Sequence, residues 1–399
     1  MIKIRSNHLF LFFYILFIVY GSLFPLADWR LPGQSLMDVW SQSIGQHISR
    51  SDLLTNILVY LPLGFLLSSV YSGRSGKFGR ILLPVIIGSL LSLSMEYLQL
   101  YLPARTSSPV DLLLNILSTL SGTVSFIWLE RETSLGEWLA EWRHNRFNNG
   151  RVTDIGLAVI ALWGAAQLAP FVPSLDVGTL KNGLKPLWLT LNDLSRFNGY
   201  RAVTYALNIG SLGAVLLLVM KFRAKAPLWL SLYCGAVLLG KMSIADRQLS
   251  LEALAGLVSG ILLTIGLQGL PKNRLVLAGL GSVAVAFIVD ELRPDMLTTD
   301  FHEFNWIPFR SQMSENVSGI GSIIEGFWPF AAMGFFAVAP DSPDRENHAV
   351  SNGVFLVIAV FALEYAQTFI AGRYPDITTV ILAVVGWSIP FLVFRENAS

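Results

Sequence analysis

Twelve apolar runs, each about as long as a bilayer's hydrocarbon core is thick, leave this chain few ways to fold. A core about 30 Å thick needs roughly 20 mostly apolar residues per helix. Such runs cover 8–26, 53–71, 81–102 and 110–129, then 154–173, 201–220, 227–245 and 250–270. A last set covers 274–290, 320–339, 350–371 and 377–394. In lipid every main-chain polar group must find its partner inside the protein, so runs of this length fold as helices. Between them the charges collect in short islets. Only 14% of the 399 residues are charged and 53% are hydrophobic, against about 25% charged in a soluble domain. The expected fold class is therefore all-α, a polytopic transmembrane helical bundle of about 12 spans.

The same arithmetic excludes several functions. With 28 Lys+Arg against 27 Asp+Glu the formal charge is +1, which provides no basic surface for nucleic acid. The single cysteine, Cys234 in an apolar stretch, permits neither an intrachain disulfide nor a cysteine-based metal site. His8, His47, His144, His302 and His348 never fall at metal-ligand spacing, and no P-loop, dinucleotide fingerprint or HExxH helix occurs. No metal and no cofactor is expected, and the bilayer is the one partner the composition names. The first run follows Lys3 and Arg5, yet it is longer than a signal peptide's apolar core and lacks a small-x-small cleavage site. It reads as a span.

Orientation follows the basic residues of the loops. An N-terminus inside places 16 of the 28 in cytoplasmic segments and 11 outside, with Lys241 inside a span. The short loops Arg74–Arg80 and Lys221–Lys225 weigh most, because long loops translocate largely regardless of charge. Both termini are expected in the cytoplasm. In the islet 130–151, Leu135, Trp138, Leu139 and Trp142 recur at helical spacing, which predicts a cytoplasmic amphipathic connector (132–151) lying on the membrane surface. Trp29, Trp128, Trp188 and Trp306 stand near span ends as interfacial anchors.

Two parts of the chain repeat. Glu96-Tyr-Leu-Gln99 followed by Arg105 matches Glu364-Tyr-Ala-Gln367 followed by Arg373, and Leu61-Pro62-Leu63-Gly64 is echoed by Trp328-Pro329-Phe330-Ala331. Four-helix units are expected at 1–131 and 272–399. The stretch 152–271 also holds four spans. Its Gln167-Leu-Ala-Pro170 and Arg247…Glu252 faintly repeat Ser22-Leu-Phe-Pro25 and Arg105…Asp111, so it reads as a third, degenerate unit. Units that start and finish on one side are parallel repeats.

Ionisable groups inside spans are expensive and are functional candidates by default. In the first unit Glu96 and Gln99 share a helix face, Asp111 and Asn115 share the next, and Asn56 lies on the second span. Arg105 sits in the short loop between them, after Pro103, a residue that ends helices. Such an arginine holds Asp111 ionised or clamps a phosphate or carboxylate, while a desolvated Glu96 serves as proton carrier or general base. A structural reading stands beside it: Arg105 ties helices together through Glu96 or Asp111, and the amides join them by hydrogen bonds. In the last unit the matching candidates are Glu364, Gln367 and Arg373. There Thr379 and Ala383 replace the Asp and Asn, and Asp376 follows Arg373 by three residues, in position to substitute for Asp111.

These residues carry a family resemblance. Asp52, Asn56, Leu61-Pro62-Leu63-Gly64, Glu96-x-x-Gln99, Arg105, Asp111 and Asn115 together resemble the VanZ-like family. Asn305-Trp-Ile-Pro308-Phe309 and Glu364-x-x-Gln367…Gly372-Arg373-Tyr-Pro-Asp376-Ile-Thr resemble a second copy. The resemblance implies a membrane protein of the bacterial envelope, in the inner (plasma) membrane. The family takes its name from a glycopeptide-resistance factor, and no reaction comes with it.

Four functional readings follow. The first is a protein that binds or handles an amphiphilic or lipid-linked molecule near the outer leaflet, from the Glu96, Arg105 and Asp111 cluster. The second is a proton-coupled secondary transporter using Glu96 or Glu364. A membrane enzyme ranks lower, because no nucleophile or metal site has a known spacing. A scaffold in an envelope complex is the fourth.

Overall fold

The computed structural model describes residues 6–43, 50–71, 78–129, 133–174, 176–293, 300–314, 316–340 and 345–395. Lys3, Arg5, His47, Arg74, Lys77 and Arg131 lie outside these residues, as do the side chains of Asp52 and His348. The described chain is helical, with isolated bridges and no strand. It divides into two compact units, Met1–Arg143 with Met313–Val317, and His144–Gln312 with Ser318–Ser399.

The first unit contains α1 (Ser6–Leu23), α2 (Leu36–Ser43), α3 (Arg50–Tyr71), α4 (Gly79–Gln99) and α5 (Pro109–Leu129). The connector helix α6 (Ser134–Arg146) follows, so a helix forms where the amphipathic islet predicts one. The second unit runs through α7 (Arg151–Leu168), α8 (Val177–Asn192), α9 (Gly199–Val219), α10 (Ala226–Gly240) and α11 (Leu251–Leu267). It continues with α12 (Lys272–Glu291), most of α13 (Arg310–Ser314) and α14 (Asn316–Val338), whose residues 313–317 count with the first unit, then α15 (Arg345–Gln367) and α16 (Ile377–Arg395).

Every apolar run carries a helix, but among the described residues nine are long and apolar enough to cross a membrane: α3, α4, α5, α7, α9, α12, α14, α15 and α16. Apolar helices of 17 residues occupy Asn7–Leu23 and Leu251–Leu267, and α10 has 15 residues. The shortfall has a local cause, since apolarity alone does not mark where a helix stops. The run 8–26 passes Leu23, where the Leu26 N–H turns back to the Leu23 carbonyl at 2.8 Å. The run 227–245 passes Gly240 into a 3₁₀ turn, Lys241–Ser243. Three helices unmarked by apolar length, α2, α8 and α13, lie in the long connections that follow α1, α7 and α12. The Asp176 carboxylate caps α8 by accepting the Thr179 N–H at 2.8 Å.

Small residues set the helix crossings, as expected where lipid removes the hydrophobic drive between helices. In the first unit Gly64 faces the main chain of Thr119 and Gly122 that of Leu61, so α3 and α5 touch backbone to backbone. In the second unit Gly256 and Gly260 bring α11 against Tyr205 and Ile209 of α9. The Gly-x-x-x-Gly spacing there is a packing motif. Nearly all of α9 from Ile209 to Val219 is buried, and Trp328 reaches from α14 to give its indole N–H to the Val159 carbonyl at 3.0 Å.

Each long connection is also stitched to the loop between the last two apolar helices of its set. The Arg30 N–H bonds the Tyr101 carbonyl at 2.9 Å. In the middle of the chain the Ser174 N–H bonds Ser243 at 2.8 Å and the Ala245 N–H bonds Val172 at 2.9 Å. Near the C-terminus the Asn305 N–H bonds Pro375 at 2.9 Å and the Ile377 N–H bonds Asn305 at 3.0 Å.

Candidate functional site

The last four carbonyls of a helix have no partner within it. Arg105 supplies partners to α1. Its Nε donates to the Phe24 carbonyl at 2.7 Å and its Nη2 to the Gly21 carbonyl at 2.8 Å. Gln99 adds a bond from Nε2 to the Ser22 carbonyl at 3.1 Å. A cation here also complements the negative end of the helix dipole. Burial draws the guanidinium below its ordinary value. The arginine reaches this place because α4 ends in tightening i→i+3 turns, the Leu100, Tyr101 and Leu102 N–H groups bonding three residues back.

Glu96 serves the opposite kind of helix end. It is only 4% exposed, and its Oε2 accepts the Ser107 hydroxyl at 2.9 Å and the Ser108 N–H at 2.7 Å. Ser108 precedes Pro109, the first residue of α5, so the carboxylate sits at the positive end of that helix. Trp40 Nε1 donates to the Ser107 hydroxyl at 2.9 Å. One turn into α5 the Asn56 amide donates to Asp111 at 2.8 Å, tying α3 to α5. Another turn on, the Asn115 amide donates to Ser92 at 2.9 Å, tying α5 to α4. The Asn115 Oδ1 is buried without a partner.

The expected pairing is thereby corrected. Among the described residues Arg105 forms no ion pair with Glu96 or Asp111; it bonds main-chain carbonyls. The sequence brings these charges close but cannot show that uncapped helix ends compete for them.

The last third repeats the arrangement. Glu364, 2% exposed, accepts the Asp376 N–H at 2.9 Å, just before α16. Arg373 Nη2 donates to the Asp290 carbonyl at 2.6 Å and meets the Glu291 carboxylate at 3.2 Å. Gln367 Nε2 donates to the Glu291 carbonyl at 3.2 Å and also to the Glu291 carboxylate. Asp376 does not substitute for Asp111. Its carboxylate accepts the Thr378 N–H at 2.9 Å and the Thr378 hydroxyl at 2.7 Å, which makes it the counterpart of Ser108, whose hydroxyl accepts the Val110 N–H at 3.2 Å. Glu291, Ser92 and Ser107 belong to these networks and were not singled out by sequence. Glu291-Leu-Arg-Pro294 parallels Ser22-Leu-Phe-Pro25 and carries the signal for the first of them.

Among the described residues no group of three or more His, Cys, Asp or Glu gathers as a metal site. The second unit does contain an apolar groove of about 610 Å³ between α12, α14, α15 and α16. Phe287, Met333, Phe336, Phe355, Leu363 and Trp387 line it, and Asn352 is the one amide among its lining residues. Along α15 the lining runs from Ala349 to Leu363, about 21 Å at ~1.5 Å per residue.

No curated protein matches the chain, and no solved structure does. Residues 9–130 match the model of the VanZ/LLP1 family, a span that takes in α1 to α5 with Asn56, Glu96, Gln99, Arg105, Asp111 and Asn115. The chain is thus a membrane protein of long apolar helices whose N-terminal segment, residues 9–130, is similar to the VanZ/LLP1 family.

Proposed function

We propose that the protein sits in the inner (plasma) membrane of the bacterial envelope, with both termini cytoplasmic, and binds an amphiphilic or lipid-linked molecule in an apolar groove. This topology turns the Val276, Pro340, Ala349 and Phe391 ends of the groove toward the cytoplasmic leaflet, not the outer one expected from the Glu96, Arg105 and Asp111 cluster. One observation carries the reading: the groove of about 610 Å³ between α12, α14, α15 and α16, lined almost wholly by apolar side chains. That volume is in the range of small-molecule sites, and its length exceeds the ~15 Å half-thickness of a hydrocarbon core. It fits one hydrocarbon chain. The polar networks, by contrast, are spent largely on helix ends, which favours binding over chemistry. We further propose that the chain is built from three four-helix copies at 1–131, 152–271 and 272–399, the helix-end bonds being their common feature.

The test is photolabelling of the purified protein with a phosphatidylglycerol bearing a diazirine on its acyl chain. Label is expected on α12 and α15, falling at least about fivefold in Ala284→Trp and Ala359→Trp, which fill the groove. Even labelling of all spans, unchanged in both variants, would sink the reading.

Proton-coupled transport is the second reading, favoured by the burial of Glu96 and Glu364 inside the helix bundles. It requires that Glu96→Gln with Glu364→Gln abolish pH-driven proton flux in proteoliposomes. Flux that survives the double change removes it.

A further inference from the structure

The middle of the chain forms the same helix-end bonds with one change of charge. Arg247 Nε donates to the Ala169 carbonyl just past α7, as Arg105 does beyond α1. Six residues before each arginine stands a side chain that reaches the residue three before a proline. At 99 it is glutamine, bonding Ser22; at 367 it is glutamine, bonding Glu291. At 241 it is lysine, whose Nζ donates to the Gln167 Oε1 at 2.9 Å. The Lys241 Nζ also donates to the Tyr205 hydroxyl at 3.0 Å and lies 5.4 Å from the centre of its ring.

Lys241 is 5% exposed. Nine residues before Arg105 and Arg373 stand the carboxylates Glu96 and Glu364, but the corresponding residue here is Leu238. No carboxylate lies at ion-pair distance from the ammonium among the described residues. Arg247, the neighbouring cation, has its own carboxylate in Glu325. Buried charges are ordinarily paired, because an isolated one loses its hydration without compensation. The partners Lys241 does have are both acceptors that keep donors in reserve. Tyr205 accepts through its hydroxyl oxygen, leaving its proton to give, and Gln167 accepts through Oε1, leaving its NH₂. The ammonium keeps a third N–H. Three kinds of donor thus meet at one ammonium that has no carboxylate partner among the described residues, at the C-terminal end of α10.

We propose that Lys241, Tyr205 and Gln167 form a binding site for a phosphate oxyanion. The site is independent of the apolar groove, so either can fail without the other. A lipid headgroup and free phosphate both present this chemistry, and the assay separates them.

The purified protein in dodecyl maltoside is titrated with sodium phosphate against sodium chloride, and with dioleoyl phosphatidylglycerol against dioleoylglycerol, reading apparent Tm by tryptophan fluorescence. One phosphate-bearing probe is expected to raise Tm by about 3 °C or more at saturation. A shift with phosphatidylglycerol alone identifies a headgroup, and a shift with inorganic phosphate identifies a free oxyanion. Lys241→Gln installs the residue found at the two corresponding positions and should abolish the shift. Lys241→Arg should retain it, and Tyr205→Phe should weaken it. No shift with either probe in the wild-type protein, or an equal shift in Lys241→Gln, overturns the proposal.

Discussion

Replacing Gly64 by alanine would place a methyl carbon 2.0 Å from the Thr119 carbonyl oxygen, where ordinary contacts begin at 3.4 Å. At Gly122 the same change meets the Leu61 carbonyl oxygen at 1.9 Å. Both obstacles are main chain, so neither can rotate away; the helices α3 and α5 must part by about 1.4 Å. Overpacking of this kind costs about 1–3 kcal/mol, and the absence of any flexible neighbour argues for the upper end. Alanine returns about 0.5–1 kcal/mol through its helix propensity. The net loss expected for each variant is about 2 kcal/mol, or roughly 4–8 °C in Tm. Gly266 and Gly281 provide the internal control, because a Cβ at either meets nothing within 4 Å. Their alanine variants should hold or raise Tm. Thermal melts of the four variants in one detergent decide the matter. If Gly64→Ala and Gly122→Ala melt with the wild type, the backbone contact is not what fixes this crossing. If the control variants fall equally, open space at a glycine has no predictive value here.

Three further outcomes are expected. Arg105→Ala removes two bonds from a charged donor, to the Gly21 carbonyl of α1 and the Phe24 carbonyl just past it, each worth about 1.5–3 kcal/mol net of exchange with water. A loss of about 3 kcal/mol should appear in chemical denaturation, with Arg105→Lys restoring only part because an ammonium lacks the planar fork. Trp328→Phe leaves the Val159 carbonyl without its indole donor and should cost about 1–3 kcal/mol, visible as faster hydrogen exchange in α7. The Asp176 carboxyl is pulled from 3.8 to about 2, first by the Ser174 hydroxyl and then by the Thr179 N–H and hydroxyl. A depressed folded value means that the contribution is complete above the ordinary carboxylate value and is lost as pH falls through about 2. Exchange protection at the start of α8 should therefore persist at pH 4 and disappear near pH 2, and loss already at pH 5 would contradict the cap.

The helices were legible because lipid leaves a long apolar run one option, and each of the twelve runs contains one. Their ends were less so: Leu23 and Gly240 stop helices inside apolar sequence, where turn geometry decides and hydropathy is silent. The helix α8 was hidden because its residues split between the protein and the outside, which lowers its apolarity below any span threshold. For the candidate site, spacing brought Glu96, Gln99 and Arg105 into one neighbourhood correctly. It could not tell that the arginine's strongest competitor was a set of main-chain carbonyls, since these are the same at every position of every sequence. Asp376 was misassigned for a related reason. Counting from Arg373 places it with Ser108, but a carboxylate looks like the counterpart of another carboxylate.

The arginine bonds also set a timetable for synthesis. Arg105 follows Gly21 by 84 residues, Arg373 follows Asp290 by 83, and Arg247 follows Ala169 by 78. At about 5–20 residues per second, the end of each leading helix waits roughly 4–17 s after leaving the ribosome before its permanent partner exists. During that interval its carbonyls rely on water or on lipid headgroups, and the leading helix can still tilt or shift in depth. Closure begins with the side chain six residues ahead, at 99, 241 or 367, and is completed by the arginine.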